Sequence, residues 1–218
     1  MAHMTIEELT ERLELADQLY FGRNEMLEPQ DLPGRYGRVI KALDHLVEVT
    51  KCPTVVGGGW AVWRHGFVGR VTYDIDIAVP ADRIGEFMQA ASVSGFRVLP
   101  QPAGRWPKLL HKETDIKVDI LPEGAQPGTP NHLAPTTIPH PKRMGAVEGR
   151  LAYISLASLI ELKIAAGRNK DEQDVIQLIA ANPNQLNGIR RHLEEIHPDY
   201  AAKFELLVAK SIEDADER

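Results

Sequence analysis

Three aspartates with regular spacing are the most informative feature of the sequence. Asp74 and Asp76 lie two residues apart in a run, 73–79, that alternates polar and apolar residues, so both carboxylates of the predicted strand point to one face. Asp119 lies in a second alternating run, 114–121. Two carboxylates about 7 Å apart on one strand face repel each other unless a cation lies between them. Oxygen ligands favour Mg²⁺ or Mn²⁺ as that cation. If the two strands are neighbours, the three carboxylates converge as in a two-metal site for phosphoryl or nucleotidyl transfer.

The alternative interpretation of these aspartates is a solvated strand face without function. Aspartate is disfavoured in strands, so three of them beside apolar strand residues favour a site. Asp115 shares the predicted strand and face of Asp119. It stays a candidate for the third carboxylate, although it lies nearer the edge of the strand.

A glycine run precedes the first aspartate pair. Gly57, Gly58 and Gly59 follow a short β-branched run and precede a predicted short helix that begins at Trp60. Glycines let the backbone approach a ligand closely, and a helix N-terminus offers N–H groups to phosphate. The run is not a P-loop, because no Gly-Lys-Ser or Gly-Lys-Thr occurs, and its spacing does not fit a dinucleotide fingerprint. A triple glycine alone is more often a plain turn.

Composition narrows the class of protein. The chain has 218 residues, of which 26% are charged and 43% hydrophobic, as in a soluble globular protein with a sizeable core. A formal net charge of −6 argues against a protein that coats nucleic acid through bulk charge, and leaves a local basic groove open. A single cysteine, Cys52, excludes an internal disulfide and fits a reducing, cytoplasmic setting. No membrane span and no signal peptide is predicted.

Hydrophobic periodicity predicts an N-terminal helix pair (1–50), a small α/β core (51–150) and a helical C-terminal part (151–218). The proline-rich segment 122–142 has no predicted element, and we expect a substrate loop, a lid or a plain surface excursion there. The predicted helices cover 5–20, 36–49, 60–65, 82–94, 155–167, 171–182, 187–196 and 198–212, and the predicted strands cover 54–56, 73–79, 96–99, 108–111, 114–121 and 151–154.

Three runs of the sequence resemble a known superfamily. The run 58–66 (GGWAVWRHG), followed by 70–76 (RVTYDID), resembles the polymerase-beta-type nucleotidyltransferases, whose pattern is a Gly-Gly turn, a short helix, Asp-x-Asp and a later third carboxylate. The run 155–175, in which Lys163 is followed by Arg-Asn-Lys-Asp-Glu-Gln-Asp, is similar to the toxin nucleotidyltransferases of abortive-infection type IV toxin–antitoxin systems. The first two runs also resemble aminoglycoside and lincosamide nucleotidyltransferases.

The resemblance implies an α/β (α+β) nucleotidyltransferase fold, a small mixed sheet with flanking helices plus a helical C-terminal part. It implies transfer of NMP from an NTP such as ATP to an acceptor hydroxyl, with Mg²⁺ or Mn²⁺ as cofactor. Asp74 and Asp76 would bind two metal ions, Asp119 would hold the catalytic metal and help deprotonate the acceptor, and Lys163 would act as a catalytic cation on the triphosphate. The residues implied in nucleotide binding are Gly58, Gly59, Arg70, Thr72, Lys163, Arg168, Lys170, Asp171 and Asp174.

Several of these residues have a second interpretation. Asp171 and Asp174 would orient Lys163 or the base, or would form ordinary ion pairs on a surface helix. Lys163 lies in an otherwise apolar helix face, where an unpaired ammonium is costly. Arg70 would contact phosphate or fix the start of the strand through an ion pair.

The aromatic residues and histidines give less information about the site than the aspartates do. Trp60 and Trp63 are predicted core residues, and Trp106 is a core residue or a platform for a base. His65 and His111 could reach the site, but no histidine spacing indicates a zinc set.

The acceptor and the partners follow only from the resemblance. The acceptor is an RNA 3′ end or a hydroxylated small molecule such as an antibiotic, and a cognate antitoxin protein is an expected partner of a toxin. The basic segment 139–150 is an RNA-contact patch or a solvated loop. Two other classes stay open: a catalytically silent nucleotide- or protein-binding member, and a metal-dependent phosphodiesterase, which usually needs more histidine ligands.

Overall fold

The chain is a mixed α/β protein, as predicted, with a six-stranded sheet, flanking helices and a helical C-terminal part. The computed structural model describes residues 5–6, 10, 34–67, 72–129 and 132–216. The predicted first helix, 5–20, lies largely outside the described residues. Ile6 and Thr10 are helical, and the Thr10 hydroxyl donates to the Ile6 carbonyl at 3.0 Å.

Helices and strands follow the predicted order. Short 3-10 turns at Ala81–Arg83, Pro141–Met144 and Pro183–Gln185 connect some of them. The helices are α1 Gly34–Thr50, α2 Gly58–Arg64, α3 Ile84–Val93, α4 Leu156–Ala166, α5 Asn169–Ala181, α6 Leu186–Ile196 and α7 Pro198–Asp216. The strands are β1 Val55–Val56, β2 Asp74–Val79, β3 Phe96–Leu99, β4 Lys108–His111, β5 Lys117–Pro122, β6 Gly128–Thr129, β7 His132–Leu133 and β8 Ala152–Tyr153.

The main sheet has the strand order β3-β4-β5-β2-β1-β8. Its two long central strands, β2 and β5, are parallel, whereas β3, β4 and β5 form an antiparallel meander. Strand β1 pairs antiparallel with β2 and parallel with β8. The sheet is therefore mixed, and its centre is the pair of strands that carries the predicted carboxylates.

Alternation along β2 and β5 divides the sheet into two different faces. Ile75 and Ile77 of β2 join Val118 and Ile120 of β5 in a core with α1 and α3, and all four are fully buried. Residues of odd and even number on a strand point to opposite faces. The opposite face therefore carries the aspartates, and further along it Ala78 packs against the C-terminal helices.

The C-terminal helices α4 to α7 pack together on that second face. Their core includes Leu159 and Ile160 of α4, Leu178 of α5 and Phe204 of α7. Apolar residues recur at helical spacing in these segments, and burial of that stripe holds the helices on the sheet. No helix in the described part of the chain is long and apolar enough to cross a membrane.

Several element boundaries differ from the prediction, and two of these differences concern the site. Strand β5 begins at Lys117 rather than at 114, because Asp115 has a φ of +55°, which interrupts an extended chain. Helix α2 begins at Gly58 rather than at Trp60, so the glycines form its first turn. Asp115 therefore lies outside the strand, and its interpretation as the third carboxylate is wrong.

The described residues of the proline-rich segment, 122–129 and 132–142, fold back onto the molecule. It contains the β6–β7 hairpin, and Ala134 and Ile138 are buried against the C-terminal helices. The Thr136 hydroxyl and the Tyr200 hydroxyl of α7 share a hydrogen bond of 2.8 Å. The segment is therefore part of the packed structure, and the interpretation as a plain surface excursion is wrong.

Candidate active site

The three predicted carboxylates share one face of the sheet. Asp76 of β2 and Asp119 of β5 are register partners across the parallel strand pair. Partners on adjacent strands point to the same face, and their backbones are about 4.8 Å apart. Asp74 lies two residues before Asp76 on that face. The condition for convergence, that the two strands be neighbours, is met by the fold.

The glycine run approaches Asp76 so closely that no side chain fits. Gly57 donates its backbone N–H to the Asp76 carbonyl oxygen at 2.8 Å. Gly58 has a φ of +58°, and a Cβ on it would lie 1.7 Å from the Asp76 Oδ2. A methyl group at this position would push the carboxylate aside. Gly58 thus sets the position of Asp76.

Thr72 and Gly59 form a second close contact behind the carboxylates. A Cβ on Gly59 would lie 2.6 Å from the Thr72 Oγ1. The Thr72 hydroxyl lies 3.4 Å from the Asp74 carbonyl oxygen and 3.5 Å from its Oδ1. Thr72 is buried, so the structure gives it contact with Asp74 rather than an open path to a ligand.

Asp119 has one oxygen paired and one without a partner. Its Oδ2 accepts a hydrogen bond from the Lys108 ammonium at 2.5 Å. Its Oδ1 is buried and has no hydrogen-bond partner in the described structure. A buried acceptor without a donor costs free energy, which a bound cation would recover.

Lys108 belongs to the site although the sequence did not single it out. It lies on β4 as the register partner of Asp119, on the side of β5 away from β2. Strand 108–111 was predicted correctly, but its pairing register depends on the tertiary fold. A lysine at the start of a predicted strand was the only signal in the sequence.

A cluster of four charged side chains, three of them buried, lies across the pocket from the sheet. The Lys163 ammonium donates to Asp171 at 2.9 Å and to Asp174 at 2.6 Å. Arg168 forms two bonds to the Asp171 carboxylate, at 2.5 and 3.2 Å. Lys163 is 6% exposed and Asp171 is fully buried. The two positive and two negative charges cancel. Their attraction offsets the free-energy cost of removing the Lys163 ammonium from water.

Local sequence explains how this cluster forms. Gly167, with a φ of +63°, ends α4, and its N–H donates to the Lys163 carbonyl oxygen at 3.2 Å. The chain then reverses, and α5 begins after Arg168. Asp171 and Asp174 are three residues apart, so they lie on one face of α5 opposite Lys163.

The Asp171 carboxyl is held in its ionised form. Burial alone would raise its pKa, but the hydrogen bonds and charges of Arg168 and Lys163 outweigh burial, so the pKa lies below its ordinary value. The surface-helix interpretation of Asp171 and Asp174 is wrong, because both are buried.

A pocket of about 240 Å³ lies between the aspartate face of the sheet and helices α4 and α5. Its sheet side and glycine turn provide carboxylates and backbone. The opposite side provides positive charge. The charged residues that line it are Asp74, Asp76, Asp119, Asp171, Lys163, Arg168 and Lys170.

The rest of the pocket wall is mostly apolar. Trp106 lies in the connection before β4, and Pro127 and Ile138 come from the proline-rich segment. Leu159 and Leu162 come from α4. A flat, partly apolar ligand group would therefore find an apolar wall beside the charged centre. The prediction left the role of Trp106 open, and the structure places it at the pocket.

Some predicted site residues do not line the pocket. Gly59, Thr72 and Asp174 lie behind residues that do, and they act on the pocket only through those neighbours. Arg70 lies outside the described residues.

The two histidines that could have reached the site point elsewhere. The His65 Nε2 donates to the Ile154 carbonyl oxygen at 2.8 Å, and the His111 Nδ1 shares a hydrogen bond of 2.9 Å with the Thr114 hydroxyl. Burial lowers the pKa of each imidazole. The hypothesis that they take part in the site is wrong, because each is bound within its own part of the fold. Trp60 and Trp63 are buried in the core, as predicted.

The carboxylates are suitable ligands for a divalent cation, but their side chains are not arranged around a single ion position. Among the residues described, no group of three or more carboxylate, imidazole or thiolate side chains is arranged as a ready-made metal site. Two features nevertheless suit Mg²⁺ or Mn²⁺: the donors are all oxygen, and Asp119 Oδ1 has no partner in the described structure. The expected cofactor therefore stays a prediction that the residues support.

Comparison with known proteins gives two solved structures and no relative by sequence. No protein-family model and no curated protein matches the chain. A crystal structure of ANT(2″)-Ia in complex with adenylyl-2″-tobramycin has a TM-score of 0.43 and 20% identity, over 82% of this chain and 97% of that one. A solution structure of the antibiotic-resistance factor ANT(2″)-Ia has a TM-score of 0.42 and 20% identity, over 83% of this chain and 94% of that one.

Proposed function

We propose that this chain is a metal-dependent nucleotidyltransferase that moves NMP from an NTP to an acceptor hydroxyl. The observation that carries the proposal is the placement of Asp74, Asp76 and Asp119 on one sheet face, in one pocket with positive charge opposite them. Three convergent carboxylates are the usual arrangement for holding the cations of such a transfer. An RNA 3′ end is the first acceptor to test.

The three aspartates would hold Mg²⁺ or Mn²⁺, and the metal would supply positive charge that stabilises the negative charge of the phosphates during transfer. Gly58 allows the Asp76 carboxylate its position, because a Cβ at residue 58 would overlap that carboxylate. Asp119 has an oxygen, Oδ1, that no donor occupies in the described structure. Through that oxygen Asp119 would hold the metal, which would help the attacking hydroxyl to lose its proton.

Arg168 and Lys170 are the most accessible cations of the pocket, although Arg168 also binds Asp171. Both line the pocket, and the Arg168 side chain is about half exposed. Lys163 also lines the pocket, but Asp171 and Asp174 already balance its charge. Its direct contact with the triphosphate stays a prediction. In the structure it holds α4 against α5, and so keeps Arg168 at the pocket wall.

The charges of the pocket favour an acceptor that is not a polycation. An aminoglycoside-type acceptor carries several ammonium groups and needs free carboxylates. Three of the four carboxylates that line the pocket are the proposed metal ligands, and the fourth, Asp171, is bound by Lys163 and Arg168. A nucleotide or an RNA end would instead use the positive side and the apolar wall near Trp106.

The proposal is tested by label transfer. The wild-type protein is incubated with each α-labelled NTP, Mg²⁺ and total RNA, beside Asp76→Asn and beside Asp82→Asn, a control that changes an exposed carboxylate outside this pocket. Label on RNA with the wild type and with Asp82→Asn, but not with Asp76→Asn, supports the proposal and names the nucleotide.

Other outcomes separate the alternatives. Label on hydroxylated small molecules but not on RNA retains the enzyme class and changes the acceptor. Label on neither, together with NTP binding that raises the Tm without Mg²⁺, indicates a silent binder and contradicts the proposal. A cognate antitoxin stays a prediction of the toxin-like resemblance, and growth arrest on expression of the wild type but not of Asp76→Asn would support it.

A further inference from the structure

We propose that Lys108 is a built-in counter-ion of Asp119, which lowers the affinity of the site for a divalent cation. The inference rests on the proposed function, because it concerns the metal that Asp74, Asp76 and Asp119 would hold. It adds a residue that neither the sequence pattern nor the resemblance assigns.

Geometry places Lys108 in line with the carboxylates. Lys108, Asp119 and Asp76 form a row across the adjacent strands β4, β5 and β2, each the register partner of the next. Cross-strand partners point to the same face, so the three side chains share the pocket side of the sheet. The Lys108 Nζ lies 2.5 Å from the Asp119 Oδ2.

The surroundings make this ion pair more than a surface contact. The Lys108 side chain is 36% exposed and that of Asp119 is 22% exposed, so water screens the pair only in part. Attraction between opposite charges grows as the local dielectric falls. In the protein without metal, the ammonium offsets the repulsion that Asp119 and Asp76 would otherwise exert on each other.

A divalent cation changes this balance. A cation bound to Asp119 meets the positive Lys108 on the same carboxylate, so the ammonium either gives up Oδ2 or repels the ion at short range. Both effects weaken metal binding relative to a site without the lysine. Asp119 Oδ1, which has no partner in the described structure, is the oxygen left for the metal.

The chain offers a matched control for general charge effects. Lys117 on β5 is the register partner of Asp74, as Lys108 on β4 is of Asp119, and its side chain is exposed. Removing Lys117 deletes the same charge at a similar backbone distance from a site carboxylate. A difference between the two lysines therefore reports the ion pair with Asp119.

The experiment is a titration of the 218-residue protein with Mn²⁺, without nucleotide or acceptor, in which the EPR signal of free Mn²⁺ reports binding. We expect Lys108→Met to bind Mn²⁺ roughly three to ten times more tightly than the wild type, as for loss of a partly buried opposing charge. Lys108→Arg keeps the charge and should stay near the wild type. Lys117→Met should change the affinity less than Lys108→Met does.

Thermal unfolding gives a second readout. In EDTA, Lys108→Met should have a lower Tm than the wild type, because Asp119 loses its counter-ion, and it should gain more Tm on adding Mn²⁺. In an Asp119→Asn background, Lys108→Met should no longer tighten Mn²⁺ binding. This double-mutant comparison isolates the pair.

Three results would overturn the inference: Mn²⁺ binding by Lys108→Met that is unchanged or weaker, equal tightening in Lys117→Met, or no binding by either Lys108→Met or the wild type. Weaker binding would mean that Lys108 orients Asp119 for the metal. Failure of the proposed function is distinguishable, because NMP transfer by the wild type is measured separately. If the wild type transfers no NMP but Lys108→Met still binds Mn²⁺ more tightly, the proposed function is contradicted and the role of Lys108 is supported.

Discussion

Asp119 lies opposite Asp76 across the parallel strands β5 and β2, as its register partner. The chain between them forms α3, β3 and β4 before it returns to the sheet beside β2. Without that return the two carboxylates would be far apart. With it, two like charges lie on adjacent strands, which is stable only with positive charge nearby. Lys108 supplies such a charge in the structure, and the proposed metal would supply more.

Gly58→Ala should strongly reduce transfer and should lower stability by about 1–2 kcal/mol through backbone strain. The new Cβ would meet Asp76 Oδ2 at 1.7 Å, and alanine is strained at a φ of +58°. A displacement of about 1 Å at a reacting group costs roughly a hundredfold in rate, so we expect at least about that loss in NMP transfer. The measurement is kcat/KM for the acceptor found by label transfer.

Gly85→Ala is the matched control for this change. Gly85 lies in α3, and a Cβ there would meet nothing within 4 Å. Its transfer rate should equal that of the wild type, and its stability should rise by up to about 1 kcal/mol because alanine is the better helix former. Wild-type transfer by Gly58→Ala would contradict the assigned role of the glycine turn.

Lys163→Met should destabilise the protein by about 3 kcal/mol, as measured by urea unfolding. The change removes a buried ammonium from Asp171 and Asp174, and breaking a buried ion pair leaves charge that is poorly compensated. Adding Asp174→Asn to Lys163→Met should restore part of the loss.

Lys203→Met provides the comparison on the surface. Lys203 pairs with Glu172 at 2.6 Å, and both side chains are about one-third exposed. Its loss should cost less than about 1 kcal/mol. If both lysine variants had equal stability, the buried cluster would not stabilise the α4–α5 contact as argued.

His65 should make the protein less stable in mild acid. Burial lowers the pKa of its imidazole below the ordinary value, so folding favours the neutral ring. This contribution is complete above the unfolded pKa of about 6.5 and is lost as the pH falls through the folded pKa. Between pH 7 and 5, the free energy of unfolding of the wild type should therefore fall more steeply than that of His65→Gln, by up to about 1.4 kcal/mol per pH unit.

His45→Gln is the control for that pH series. His45 lies on α1 with a side chain 67% exposed. Its unfolding free energy should follow the wild-type curve across the same range. A His65→Gln curve parallel to that of the wild type would contradict the assignment of the acid sensitivity to His65.

Trp106 should contribute to nucleotide affinity. It lines the pocket on the apolar side, where a base can stack on the indole. Stacking on an aromatic ring is worth about 1–3 kcal/mol per base, so Trp106→Ala should raise the Kd for the Mg²⁺ complex of the NTP by roughly tenfold. Trp106→Phe keeps a flat ring and should bind within about twofold of the wild type. Calorimetry on the three proteins decides, and equal Kd values for Trp106→Ala and the wild type would place the base elsewhere.

Local patterns in the sequence predicted what lies within each element. Alternation along β2 put Asp74 and Asp76 on one face and Ile75 and Ile77 on the other, because the side-chain period of a strand is two residues. Helical spacing predicted α1 and α4 to α7 to within a few residues. The resemblance to nucleotidyltransferases then named the residues that the structure brings to the pocket, among them Asp119, Lys163 and Arg168.

Only the tertiary structure decided which elements meet. The register of β4 against β5 brought Lys108 to Asp119, and the reversal at Gly167 brought Asp171 against Lys163. Pro127, Gly128 and Ile138 of the proline-rich segment line the pocket through packing that no periodic pattern in the sequence predicts. The physical reason is that local sequence sets the face on which a side chain lies, whereas its neighbour on that face depends on strand pairing and helix packing across long chain separations.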